Sequence, residues 1–285
     1  MDYTFENVIA ASELADELSL EILGDKNQIL QKISNINCNE SNAIKFSKGH
    51  LNKYLRGIII GPSGLNAETL LVSINPRLDF CRALNFLIDN RRIAVSPRSS
   101  VVHSSARIAE TAILEEGVSI GQNTIIEHNV VIHKNTSIGQ NCIIRSNTVI
   151  GAQGFGFEKE NNGSWIRFPH FGRVIIGNDV EIGALNSVCV GTLDNTIIGA
   201  GVKTDNLVHI AHNCNIGKNC ILTACTELSG GVFLGENVWV GPNSSIKEKV
   251  LIGMNSLIGI GSVVRKNVDE NSVVSGSPAR FIKKR

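Results

Sequence analysis

The 285-residue sequence lacks several features that would define other classes of protein. Charged residues make up 19%, and 27 Lys and Arg against 26 Asp and Glu leave a net charge of +1. This balance argues against a generally basic nucleic-acid-binding protein and against an acidic disordered chain. No run of about 18 apolar residues is present, so no membrane span is expected. The N-terminal residues form no apolar segment, so we expect no signal peptide and a cytoplasmic location.

Aromatic residues are also scarce at 5%, although 42% of the chain is hydrophobic. A core must therefore be built mainly from aliphatic side chains. The seven cysteines are an odd number, and no two have the C-x-x-C spacing. This pattern fits a reducing compartment in which thiols serve as small core groups.

What the sequence does contain is a six-residue repeat through its second half. In 23 hexads the fourth position is Ile, Leu or Val, with Thr204 as the one exception. The second position is Ala, Val, Thr, Cys or Ser, except at Asn186. The repeat is interrupted over residues 153–173 and slips by four residues between Val188 and Ile198.

The repeat predicts a β-solenoid. Positions two and four face the same side of a short strand, because side chains alternate along a strand. Gly at position five and Asn at position one tolerate left-handed backbone angles, so both are predicted to mark corners. Three hexads then form an 18-residue triangular coil, and seven to eight stacked coils share one aliphatic core. Cys142, Cys214 and Cys220 occupy position two and are predicted to be inert core thiols.

The first hundred residues do not keep the repeat and are predicted to form a small α/β domain. A linker over residues 95–105 is expected to follow it. The predicted domains are residues 1–100, a β-helix over 101–272 with an extruded loop at 153–173, and a C-terminal tail at 273–285. Within the first domain we predict a helix at 10–18, strands at 57–61 and 70–73, and a helix starting at Asn75 and Pro76.

Two histidines give the β-helix a candidate site for chemistry. His212 at position six and His209 at position three face outward, although a surface histidine is the plain alternative. Counting one 18-residue coil forward from His212 gives Gly230, whose N–H is a candidate oxyanion donor. Counting back gives Asp194, a candidate to orient the imidazole, although the four-residue slip lies between them. This set predicts acyl transfer, with His212 as general base and no covalent intermediate.

The interruption at 153–173 is a further feature that departs from the repeat. An aromatic loop extruded from a solenoid usually covers a ligand or a neighbour, and a plain packing flap is the alternative. Its aromatic residues are Phe155, Phe157, Trp165, Phe168 and Phe171.

Several segments resemble the UDP-3-O-acylglucosamine N-acyltransferases of lipid A synthesis, within the left-handed β-helix acyltransferases. The segments are residues 154–157, 172–177, 192–199 and 205–213, together with Trp165 and Pro169. The resemblance extends over nearly the whole chain. It implies a left-handed β-helix, a homotrimer with active sites between adjacent subunits, and the stated roles for His212 and Gly230. It also implies substrate contacts, for which the candidates are Asp205, Asn206, His209, Phe46, Tyr54, Phe155 and Phe157, with Phe46 and Tyr54 stacking on the uracil.

The sequence departs from that family in ways that bear on the acyl donor. Lys249 stands where the family has a second histidine, and we expect no counterpart of the family's C-terminal helical extension. The ending at residues 275–280 resembles coenzyme A-using sugar acetyltransferases instead, and Trp239 is a candidate to shorten the acyl groove. The candidate donor-binding residues are Trp239, Gly241, Gly259, Ser275, Pro278 and Arg280.

These departures favour a short acyl group carried by acyl-CoA and moved to another nucleotide-linked amino sugar. Its product would enter a surface polysaccharide such as the O-antigen of lipopolysaccharide. The alternative is the lipid A enzyme itself, with acyl carrier protein as donor. Neither reading requires a permanently bound cofactor or a nucleic-acid partner.

Two other classes stay open. A zinc carbonic anhydrase on this fold would need three histidines meeting at a subunit interface. His128 and His133 are suggestive, but His103 does not lie a whole number of coils from either. A non-catalytic β-helix scaffold is the other class, and it predicts no turnover.

Overall fold

The structure is a computed structural model that describes residues 3–5, 7, 9–90, 92–95 and 99–285. It divides into two compact units. One contains residues 1–96 together with 155–169, and the other contains residues 97–154 together with 170–285. The predicted linker lies partly outside the described residues, and Val101–Val102 is already a β-helix strand.

The second unit is a left-handed parallel β-helix, as predicted, with strands at positions three and four of the hexads. The first face consists of Val101–Val102, Ser119–Ile120, Ser137–Ile138, Val174–Ile176, Thr196–Ile198, Asn215–Ile216, Phe233–Leu234 and Leu251–Ile252. The second face consists of Arg107–Ile108, Ile125–Ile126, Ile143–Ile144, Glu181–Ile182, Lys203–Thr204, Ile221–Leu222, Trp239–Val240, Leu257–Ile258, Ser272–Gly276 and Ala279–Lys284. The third face consists of Ile113–Leu114, Val131–Ile132, Val149–Ala152, Ser187–Cys189, His209–Ile210, Glu227–Leu228, Ser245–Ile246 and Val263–Val264.

The register shows how the two irregularities are absorbed. Ile198 pairs with Ile216 at the regular spacing of 18 residues. Ile138 pairs with Ile176 across the interruption, and Ile176 pairs with Ile198 across the slip. Each extra segment is therefore looped out, so the strands on either side keep their inward and outward faces.

The core of the β-helix is the column of fourth-position side chains, with small second-position residues between them. Cys142, Cys214 and Cys220 are fully buried in it, as predicted. Burial raises the pKa of the Cys214 thiol to about 12 and that of Cys220 to about 11. Because thiolate is the reactive form, these groups are inert core residues.

Asn at position one and Gly at position five both lie at corners, as predicted. Asn123 and Asn213, at position one, have φ angles of 57° and 61°. Among the position-five glycines, Gly151 has a φ of 89°, whereas Gly121 and Gly139 are not among the residues with positive φ. A Cβ on Gly121 would lie 2.5 Å from the carbonyl carbon of Gly139, so glycine is required there by the close approach of successive coils.

The two exceptions to the repeat bond to each other inside the β-helix. Asn186 donates from Nδ2 to Thr204 Oγ1 at 2.6 Å and accepts from the Val208 N–H at 2.6 Å. Thr204 Oγ1 also accepts the Gly183 N–H at 3.0 Å. Asn186 and Thr204 thus form one buried and mutually satisfied polar group.

Thr204→Val is expected to destabilise the protein by about 1–3 kcal/mol, although it restores the aliphatic pattern. The change leaves the Asn186 amide and the Gly183 N–H without their acceptor. Urea denaturation measures the effect, and Ile198→Val, which removes one buried methylene from the same core, is the control at about 0.5–1.5 kcal/mol. A Thr204→Val protein as stable as the wild type would contradict this account.

The first unit is built on a mixed five-stranded sheet. Its strand order is Glu21–Gly24, Ala67–Val72, Leu55–Gly61, Ala43–Phe46 and Lys32–Ile33. The predicted helices are present as Ala11–Leu18 and Pro76–Asp89, the second capped by the Asn75 side chain. Two small strand pairs join Ile9–Ala10 to Ile29–Leu30 and Tyr3–Phe5 to Ile93–Val95. No helix in the described part of the chain is long and apolar enough to cross a membrane.

The predicted extruded loop contains a β-hairpin, Phe157–Lys159 with Trp165–Arg167, that packs on the helix Pro76–Asp89. Arg77 pairs with Glu158 at 2.9 Å, and Arg82 pairs with Glu160. These ion pairs attach the hairpin to the helix within the first unit.

The predicted tail at residues 273–285 is instead regular structure. Ser272–Gly276 continues the second face in parallel with Leu257–Ile258, and Ala279–Lys284 returns antiparallel to it. The tail prediction was wrong. The hexad pattern does not extend into this hairpin, so the repeat could not predict strands that pair through backbone hydrogen bonds.

Candidate active site

His212 lies at the third corner, which we define as residues 211–213, 229–231 and 247–249, between the third and first faces. The ring is half-buried, and its Nδ1 lies 2.9 Å from Asn213 Oδ1. Asn213 is held in turn by the loop of the four-residue slip. Its Oδ1 accepts from the Thr192 N–H at 3.1 Å and from Thr192 Oγ1 at 2.8 Å, and its Nδ2 donates to the Asp194 carbonyl at 3.1 Å.

These contacts assign the tautomer of His212. Three hydrogen bonds orient the Asn213 amide, so its oxygen faces the imidazole. An amide oxygen only accepts, and therefore His212 Nδ1 carries the proton. In the neutral ring, Nε2 then holds a lone pair and is the basic atom.

Gly230 lies directly against that basic atom, as the 18-residue count predicted. A Cβ on Gly230 would lie 2.7 Å from His212 Nε2 and 2.6 Å from Cε1, so only glycine leaves the ring in place.

The N–H of Gly230 belongs to a class of corner amides outside the strand ladder. At other corners a carboxylate accepts the equivalent N–H: Glu115 accepts that of Lys134, and Glu127 accepts that of Ser146. Among the described residues no acceptor binds the N–H of Gly230. A donor and a basic nitrogen thus stand side by side at this corner.

Asp194 does not contact the imidazole, contrary to the sequence prediction. The slip makes the coil before His212 longer, since Val188 pairs with Ile210 at a spacing of 22 residues. An 18-residue count back from His212 therefore misses the adjacent position. Within the described residues no carboxylate bonds to the His212 ring, and Asp194 acts on it through its backbone bond to Asn213.

Sequence reasoning missed His170. Its ring lies edge-to-face with that of His212, with centroids 5.6 Å apart and an interplanar angle of 76°. A Cβ on Gly154 would lie 3.0 Å from His170 Nε2 and 3.1 Å from His212 Cδ2. The ends of the interruption therefore meet the slip loop at His212, and both breaks in the repeat shape this one corner.

Asp205 and Asn206 lie at a different corner, the second, which comprises residues 205–207, 223–225, 241–243 and 259–261. The Asp205 carboxylate accepts the Asn206 N–H at 2.7 Å, and Asn206 Oδ1 accepts the Ala184 N–H at 2.8 Å. His209 lies on the third-face strand that separates the two corners. It pairs with Ser187 on the strand before and with Glu227 on the strand after. The structure of one chain therefore does not bring Asp205 and Asn206 to His212.

Most of the predicted donor-binding residues lie along one edge of the β-helix, and Trp239 lies on the face beside it. Gly241 and Gly259 continue the second corner, and a Cβ on Gly259 would lie 2.5 Å from Ser275 Oγ. Ser275 pairs with Arg280 across the terminal hairpin, whose turn contains Pro278. Trp239, 40% exposed, lies on the second face between Ile221 and Leu257.

The aromatic candidates of the first unit form two groups. The half-buried Phe46 ring packs against the ring of Phe80, with centroids 4.9 Å apart. Tyr54 is 54% exposed. On the hairpin, an apolar groove of about 370 Å³ is lined by Phe155, Phe157 and Trp165, with Phe155 91% exposed.

The histidines of the zinc alternative each have a local partner. His103 contacts Ser105, His128 contacts Thr111, and His133 contacts Glu115 at 3.0 Å. The described residues of a single chain contain no group of three His, Cys, Asp or Glu that would hold a metal ion.

Comparison with known proteins agrees with the repeat and the fold. The bacterial transferase hexapeptide family (six repeats) matches residues 117–152, 195–230 and 231–266. The structure of UDP-N-acetylglucosamine O-acyltransferase from Moraxella catarrhalis is similar, with a TM-score of 0.54 and 25% identity over 65% of this chain and 73% of that one. This chain is a hexapeptide-repeat β-helix protein.

The predicted resemblance to UDP-3-O-acylglucosamine N-acyltransferases is also confirmed, over part of the chain rather than nearly all of it. This chain is 56% identical to the UDP-3-O-acylglucosamine N-acyltransferase from Dechloromonas aromatica over 79 residues. The match covers 28% of this chain and 22% of that enzyme. This chain is 37% identical to the one from Campylobacter lari over 127 residues, which is 45% of this chain and 40% of that one. The matches thus span less than half of these curated relatives.

Proposed function

We propose that this β-helix protein transfers an acyl group from a pantetheine thioester to the amine of a nucleotide-linked amino sugar. The observation that supports it most directly is that the basic His212 Nε2 and the Gly230 N–H lie side by side at one corner. The similarity to proteins named as N-acyltransferases supports the same reaction class.

In the proposed reaction the sugar amine attacks the thioester carbonyl carbon while His212 Nε2 takes the amine proton. The Gly230 N–H donates to the oxyanion of the tetrahedral intermediate. Collapse of the intermediate breaks the C–S bond and forms the amide. The imidazolium then returns its proton to the leaving thiolate, which restores the neutral base.

The relatives' names favour the alternative drawn from the sequence over its first reading. We therefore propose UDP-3-O-acylglucosamine as the acceptor, which makes the product a precursor of lipopolysaccharide. Phe46 and Tyr54 are the candidates to bind its uracil, and Phe155 and Phe157 are the candidates for its apolar part. The donor is acyl-CoA or acyl carrier protein, bound along Gly241, Gly259 and Ser275, with no resident cofactor.

We further propose that the protein works as a cytoplasmic homotrimer. His212 and Asp205 lie at opposite edges of the third face, so a second copy of the chain is needed to bring the two corners together. Outward apolar side chains on the other two faces supply surface for such contacts: Phe233 is 42%, Leu251 49% and Trp239 40% exposed.

A substrate panel tests this function. The full-length protein is incubated with acetyl-CoA, 3-hydroxybutyryl-CoA or 3-hydroxyacyl carrier protein, against UDP-3-O-acylglucosamine and other UDP- and dTDP-linked amino sugars. We expect N-acylation of UDP-3-O-acylglucosamine, detected by mass spectrometry. Transfer of a short chain from acyl-CoA to another amino sugar would overturn the acceptor proposed here, and no transfer from any donor would overturn the reaction class.

A further inference from the structure

We propose that His170 is a positioning residue that holds the His212 imidazole in its reactive orientation. The inference rests on the proposed function and concerns the same site. The edge-to-face contact of the two rings, with centroids 5.6 Å apart, has the geometry in which aromatic rings attract. His170 thus acts on the base by packing against it.

The other contacts of the His212 ring come from one hydrogen-bond acceptor and two glycines. Asn213 lies at Nδ1, Gly230 borders Nε2 and Cε1, and Gly154 borders Cδ2. Both glycines meet the ring through their backbone, so neither provides a side chain that resists tilting of the ring. His170 supplies such a side chain.

His170 is itself fixed by the loop that holds Asn213. The next residue, Phe171, donates its N–H to the Thr192 carbonyl at 2.7 Å, and the Gly172 N–H donates to the same carbonyl at 3.0 Å. The Thr192 N–H and Oγ1 in turn orient the Asn213 amide. The ring support and the Nδ1 acceptor therefore rest on one short loop.

His170→Ala is expected to lower kcat about tenfold and to leave both KM values within about twofold. The variant leaves a space in which the His212 ring can tilt, and general-base catalysis needs the nitrogen aimed at the amine. His170→Phe preserves a planar ring at the contact and should stay within about threefold of the wild-type kcat. A thermal melt for each variant tests whether the fold is intact.

A second measurement does not depend on substrate. ¹⁵N NMR of the histidine side chains, with the His212 signals assigned by their loss in His212→Ala, reports its tautomer. We expect the Nδ1–H form in the wild type and in His170→Phe, and a mixture or broadened signals in His170→Ala. If the wild type transfers no acyl group, the proposed function fails, while the NMR comparison still decides whether His170 positions the ring.

Three results would overturn the proposal. The first is a His170→Ala protein with wild-type kcat and wild-type His212 signals. The second is a raised KM with unchanged kcat, which would place His170 on the substrate. The third is a His170→Phe protein as impaired as His170→Ala, since packing alone would then not explain the effect.

Discussion

His212→Ala lowers kcat by at least about a hundredfold, which is the usual cost of removing a general base. The ring is half-buried at a corner and contributes nothing to the aliphatic core, so the β-helix should stay folded. Its loss removes the nitrogen proposed to take the amine proton and leaves the Gly230 N–H in place. Initial rates at saturating donor and acceptor measure the effect, and circular dichroism and size-exclusion chromatography check the fold and the assembly.

His128→Ala is the matched control. It is another outward corner histidine, bonded locally to Thr111, and its removal should leave kcat within about twofold. A His212→Ala protein with near wild-type kcat would exclude His212 as the base. A comparable loss in His128→Ala would mean that corner histidines matter for another reason.

Gly230→Ala is expected to lower kcat by about a hundredfold, although it adds only one methyl group. The methyl carbon would lie 2.7 Å from His212 Nε2, so the imidazole has to move away from the reacting amine. The same displacement separates the base from the N–H proposed to stabilise the oxyanion. Steady-state kinetics measure the loss, and the crystal structure of the variant should show the displaced ring.

Gly49→Ala provides the control for this substitution. A Cβ on Gly49 meets nothing within 4 Å, and the glycine is not among the residues with positive φ, so activity and stability should not change. Wild-type kcat in Gly230→Ala would show that the ring tolerates the methyl group, and it would argue against this corner as the reacting site.

The strands of the β-helix were predictable because almost all of the 23 hexads place a small residue at position two and a large aliphatic residue at position four. Position one was also predictable, since a left-handed φ is a local property of residues such as Asn123. Gly at position five lies at its predicted corner for a different reason, because the backbone of the next coil approaches Gly121 too closely for a Cβ. The terminal hairpin was missed for a related reason: Ala279–Lys284 is defined by its partner strand rather than by a repeat.

The candidate site also contains one residue that the sequence placed correctly and others whose roles only the structure showed. Gly230 was found because no insertion separates it from His212, so counting one coil gives its neighbour. Asp194 was placed wrongly because the slip lengthens the intervening coil to 22 residues. Asn213 follows His212 directly, but its role depends on how Thr192 orients its amide. His170 carries no signal in the repeat, and it reaches His212 only through the path of the looped-out chain.

The sequence alone determined that this protein is an aliphatic β-helix with a small α/β domain before it, and it predicted that the chemistry lies where the repeat breaks. A periodic pattern determines the β-helix because inward and outward side chains alternate in the same way in every coil. The tertiary structure decided which of the irregular residues meet. The interruption and the slip have no period of their own, so their packing against His212 is determined by contacts between distant parts of the chain.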